Sequence, residues 1–106
     1  MFDALEMSLT VLERLAPIDT RIRRHNRGLA KQLLRAAESI ALNLAEGRRR
    51  KAGDQRRHYE IAHGSASEAT TALRIARARG YITPAEYDEV DVVLDRVRAM
   101  LYGLTR

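Results

Sequence analysis

Residues Arg48 to Arg57, RRRKAGDQRR, put six Lys/Arg and one carboxylate into ten positions. Arg48, Arg49, Arg50, Lys51, Arg56 and Arg57 are chemically suited to polyanions, because each phosphate they neutralise releases condensed counterions. A second group, Arg21, Arg23, Arg24 and Arg27, stands upstream, and Arg77 and Arg79 form a smaller third. A cation just past a helix C-terminus is favoured by the helix dipole, which accounts for Arg48 to Lys51, Arg77 and Arg79 without any ligand. Arg56 and Arg57 fall in the first turn of a predicted helix, where the dipole opposes them, so local stability does not explain them. Solvated loops would tolerate all these arginines, and that plain alternative stands beside the ligand one. Nothing suggests readout of base edges, so nucleic-acid contacts should go mainly to phosphate and sugar. The candidate binding residues are Arg23, Arg24, Arg27, Arg48, Arg49, Arg50, Lys51, Arg56 and Arg57.

Catalytic chemistry is much less visible. Ser39 and Asn43 lie one helical turn apart, as do Ser65 and Glu68. Glu46 and Glu68 are open to a paired-carboxylate reading. The competing account is an interhelical hydrogen-bond network that sets register, with Glu46 at a helix end, and no metal-ligand triplet or nucleophile–base pair accompanies them. His58 and His63 are five apart and point in different directions on one helix, so HExxH spacing is absent. Glycine-rich phosphate loops and the GxSxG elbow are also missing. We therefore expect no enzymatic activity, no metal and no cofactor.

The positive charge is concentrated in the middle of the chain. The net charge of +5 divides into −3 over residues 1–20, +9 over 21–57, +1 over 58–80 and −2 over 81–106. One domain is expected over residues 1–106. With one Phe, four Tyr and no Trp, its core must come from Leu, Ile, Val and Ala. Each alanine buries little area at about 25 cal/mol per Å², so such helices gain by packing against copies of themselves. The absence of cysteine excludes disulfides and thiolate metal sites. MFDALEM does not read as a secretion signal. No apolar run approaches the ~20 residues that cross a bilayer, so a cytoplasmic protein is expected.

Four helices must position these groups. Phe2, Leu5, Leu9, Leu12 and Ala16 predict a first helix over residues 2–15, ended by Pro17 because the residue before a proline avoids the α region. Residues 17–27 then form a connection, with room for a turn of helix around Thr20 to Arg24. A second helix over 28–46 carries Leu29, Leu33, Ala37, Ile40 and Leu44, with Gly47 suited to a left-handed closing position. A third begins after Asp54 as N-cap and ends near Arg79, its inner face Tyr59, Ala62, Ala66, Ala69, Leu73 and Ala76. Gly64 within it costs about 1 kcal/mol against alanine; close approach of a neighbouring helix would explain it, and a plain lapse in propensity is the duller account. The fourth has the clearest start: Thr83 as cap, Pro84 at the first helical position and Glu86 completing a capping box. Short connections predict an all-α, antiparallel up-down-up-down four-helix bundle.

Arg35-Ala36-Ala37-x-Ser39-Ile40, Asn43-x-Ala45-Glu46-Gly47, Ala62-x-Gly64-Ser65-x-x-Glu68, Gly80-Tyr81-Ile82-Thr83 and Glu86-Tyr87 occur in this order over residues 29–104. In that combination the chain resembles the 23S rRNA intervening-sequence protein family. Ala41-Leu42 stands where members often have Pro-Ser, and the first helix lacks the family's aromatic, Lys-rich opening. The resemblance implies a ring-shaped homo-oligomer, usually a pentamer. It also implies a likeness in fold to the accessory variability proteins of diversity-generating retroelements, which bind nucleic acid and a reverse transcriptase. The expected function is thus a non-enzymatic accessory protein that binds RNA or DNA backbone through basic inter-helix segments. The alternative is a protein-partner scaffold, for example for a reverse transcriptase, with no direct nucleic-acid role.

Overall fold

The structure, a computed structural model, describes residues 3–106. They form four α-helices: α1 (Asp3–His25), α2 (Arg27–Arg48), α3 (Ala52–Ala78) and α4 (Pro84–Thr105). Each packs against its two neighbours in the cycle α1–α2–α3–α4, and the α2–α3 contact is the most extensive. Side-chain bonds Ser39–Ser65, Thr70–Arg98 and Arg21–Glu86 run between oppositely directed helices. The result is an up-down-up-down bundle of 42 × 22 × 20 Å.

Helix α1 departs from expectation in both length and facing. It runs through Pro17 to His25. Pro17 and Glu13, whose carbonyl loses its partner at the proline, both lie on the water-facing side. Continuing the helix buries Ile18 and Ile22, at 4% and 0% exposure, and their transfer from water outweighs one lost hydrogen bond. The inner stripe is Ala4, Ser8, Val11, Leu15, Ile18 and Ile22. Of the stripe expected from spacing, Leu9 is 41% exposed, Ala16 is exposed, and Leu5 and Leu12 are half-buried; Phe2 lies outside the described residues. Buried Ser8 satisfies its hydroxyl by donating to the Leu5 carbonyl at 2.7 Å.

The first connection is a single residue, not residues 17–27. Asn26 takes an extended backbone, and its side chain accepts from the Leu29 N–H at 2.9 Å, capping α2. Leu29, Leu33, Ala37, Ile40 and Leu44 all enter the core as expected. Gly47 does not adopt the left-handed closing conformation; it is buried within the last turn of α2. A Cβ there would sit 2.7 Å from Tyr59 Cε1 and 3.1 Å from His58 Cβ. This glycine is therefore required for the close approach of α3.

Helix α3 begins earlier than expected, with Lys51 at the N-cap and no side-chain cap bond. Asp54 lies in the first turn instead. Its predicted inner face is buried throughout. Gly64 is exposed, and a Cβ on it would meet nothing within 4 Å among the described residues, so none of the other three described helices packs closely there. At the far end, Gly80 at φ +75° lets the Tyr81 N–H reach the Ala76 carbonyl at 2.9 Å, a Schellman closure. The Thr83–Glu86 capping box forms in both directions, and Pro84 opens α4 as expected. Val90, Leu94, Val97 and Leu101 then complete the core.

Candidate nucleic-acid interface

The antiparallel arrangement gathers the cations at the two ends of the bundle. One end combines the C-termini of α1 and α3 with the N-termini of α2 and α4. Residues 19–31 and 74–89, which build it, hold eight Lys/Arg against four carboxylates. Arg23 and Arg24 lie in the last turn of α1, and Arg27 is the first residue of α2. Arg21 pairs with Glu86, and Arg23 pairs with Asp19 at 3.3 Å. Glu86 is held below the ordinary carboxylate range by the Thr83 backbone N–H first, then by the Arg21 charge. Arg24, Arg27 and Arg79 are exposed and have no carboxylate partner among the described residues.

The same end carries aromatic rings that spacing did not reveal. His25 and Tyr81 stack with centroids 4.9 Å apart and planes 6° from parallel. The Arg77 guanidinium lies 4.9 Å from the Tyr87 ring centroid. His25 and Tyr81 are 56 positions apart in the chain, so no local pattern could have joined them.

The opposite end contains Arg48 in the last turn of α2, Arg49, Arg50 and Lys51 in the connection, and Arg56 and Arg57 in α3. It is more fully compensated. Arg50 bonds Glu46 at 2.8 Å and reaches Asp54 at 3.5 Å, Arg57 reaches Asp54 at 3.3 Å, and Arg56 reaches Glu60 at 3.2 Å. Arg56 also donates to the carbonyls of Thr105 and Arg106, at 2.6 and 3.3 Å. It therefore closes the C-terminus of α4, a local task that helix dipoles alone do not disclose. The hydrogen bond and charge of Arg50 lower the Glu46 pKa, with smaller help from Arg49 and His58. Arg49 and Lys51 remain exposed with no carboxylate partner among the described residues.

The family model of the 23S rRNA-intervening sequence protein matches residues 3–103. The chain belongs to that family. A solved structure from Bacteroides thetaiotaomicron, a protein of unknown function from the S23 ribosomal protein family, superimposes with a TM-score of 0.87. It shares 21% identity, over 97% of this chain and 98% of that one; at that identity the likeness is one of fold. No curated protein matches.

Polar residues of the segments that carry the family resemblance form a ladder between α2 and α3. Ser65 Oγ donates to Ser39 Oγ at 2.8 Å, and Asn43 Nδ2 donates to the Ser39 carbonyl at 3.0 Å. His58 Nδ1 lies 3.0 Å from Asn43 Oδ1 and donates to it, while Arg57 Nη2 is 3.3 Å from His58 Nε2. Gln55 Nε2 donates to the carbonyls of Gly47 and Arg50, both at 3.1 Å, closing the end of α2. The ladder matches the register-setting account. Glu46 turns outward to Arg50, and Glu68 is exposed on α3. Among the described residues, no three His, Asp or Glu side chains gather as a metal site, and no helix is long and apolar enough to cross a membrane.

Proposed function

We propose that this protein is a non-enzymatic accessory protein that binds RNA or DNA backbone through the basic ends of its bundle. The carrying observation is the set of exposed cations without carboxylate partners among the described residues: Arg24, Arg27 and Arg79 at one end, Arg49 and Lys51 at the other. Surface pairs such as Arg50–Glu46 and Arg57–Asp54 are worth about 0–1 kcal/mol, so an arriving phosphate exchanges for the carboxylate at little cost. The family's association with rRNA intervening sequences supports the same reading.

The protein acts as a ring of like subunits, a homopentamer, which repeats each basic end around the ring. Apolar side chains left on the surface support self-association: Leu42 is 69% exposed, Ile75 44%, Leu9 41% and Ile61 40%. Titration of single-stranded RNA and duplex DNA over a salt series tests the binding. The log–log slope should be about −0.7 to −0.9 per phosphate neutralised. No measurable binding of either at ~50 mM salt would refute the proposal. An adaptor for a reverse transcriptase or similar enzyme is the second reading, favoured by Val92 and Tyr102 of α4, which are 56% and 61% exposed. A pull-down whose yield survives nuclease treatment would support it.

A further inference from the structure

We infer that the end of the bundle where α1 meets α2 is a stacking site for an unpaired base, and that the ligand class is single-stranded nucleic acid. The inference rests on the nucleic-acid reading above and adds to it the strand form and the contact. Half-buried Tyr81 leans on the core, and exposed His25 lies over it with nearly parallel planes. Of the two rings the imidazole is the more exposed, so it is the outer member of the stack. A planar base extends such a stack at any sequence, since every base has a π-face. Bases within a duplex are already stacked and paired and present only their edges.

The backbone that carries both rings is held before any ligand arrives. Asn26, the single residue between α1 and α2, donates its N–H to the Ile22 carbonyl at 2.8 Å, which fixes the backbone beside His25. The Gly80 N–H donates to the Arg77 carbonyl at 3.0 Å, and the Tyr81 N–H to the Ala76 carbonyl, which fixes the backbone at the other ring. Little backbone ordering entropy is left to lose on binding. Arg24 and Arg27 flank His25 in sequence, and Arg79 lies two positions before Tyr81. Exposed cations with no carboxylate partner among the described residues thus lie within two positions of one ring or the other, and cations beside a flat ring are the combination that tracks a phosphate backbone while holding its bases.

Fluorescence anisotropy tests this with single strands of about 12 nucleotides, ribo and deoxy, against their duplex and an abasic strand of equal length. Wild-type protein should bind the base-carrying strand more tightly than the duplex or the abasic strand. His25→Ala should weaken the base-carrying strand about tenfold and leave the abasic strand unchanged, and His25→Phe should restore the loss. Thermal melting of each variant verifies the fold. Equal affinity for abasic and base-carrying strands, or an equal loss on both in His25→Ala, would overturn the stacking site while leaving phosphate binding intact. Failure of wild-type protein to bind any strand or duplex at ~50 mM salt would overturn both proposals.

Discussion

Two glycines of nearly the same chemical description have opposite roles. Gly47 faces the Tyr59 ring at a distance no side-chain carbon tolerates, so Gly47→Ala should destabilise by about 1–3 kcal/mol through overpacking, measurable by urea unfolding. Gly64 faces open space, so Gly64→Ala should stabilise the subunit by about 1 kcal/mol. A loss at Gly64 would instead place a neighbouring subunit against that face. The sequence suggests a turn at Gly47, where the structure has close packing; at Gly64 it leaves close approach and a lapse in propensity both open, and within the subunit only the lapse holds. A turn signal and a packing signal look alike when the residue has no side chain to distinguish them.

At the scale of the element, α1 and α4 differ in how far local residues control them. The start of α4 is written in Thr83, Pro84 and Glu86 and forms as expected. Glu86 has a lowered pKa through the Thr83 N–H and Arg21. A lowered carboxylate contributes stability that is present above its unfolded value of about 4.3 and is lost as pH falls through the lower folded value. Glu86→Gln should therefore flatten the fall in melting temperature with acidification, with little change in its slope near neutrality. In α1, local chemistry loses. Pro17 should end the helix, yet Ile18 and Ile22 draw it on by burial. Pro17→Ala should restore the missing backbone bond and raise stability by as much as about 3 kcal/mol, read from the denaturation midpoint. Two apolar stripes share the spacing of α1, and only the buried continuation past Pro17 selects the one through Val11 and Leu15. A helix ended at residue 15 offers no means of choosing between them.

For the whole molecule, the bundle brings basic side chains together at both of its ends. Replacing Arg24, Arg27 and Arg79 by Ser should reduce the salt slope of nucleic-acid binding by about 0.7–0.9 for each phosphate no longer neutralised. An unchanged slope would move the binding to Arg49 and Lys51. Light scattering should show a multiple of the 12.0 kDa chain, and Leu42→Asp, at the most exposed of the large apolar residues, should shift it toward the monomer if that face joins subunits. Helix number, the α4 cap, the faces of α2 and α3 and the basic segments were determined by the sequence, because period, cap chemistry and charge are local and survive in one dimension. The tertiary structure alone decided which face of α1 turns inward, which arginines are matched by carboxylates, and that His25 meets Tyr81. Those outcomes depend on distances between residues remote in the chain, and only the packing of four helices against one another sets such distances.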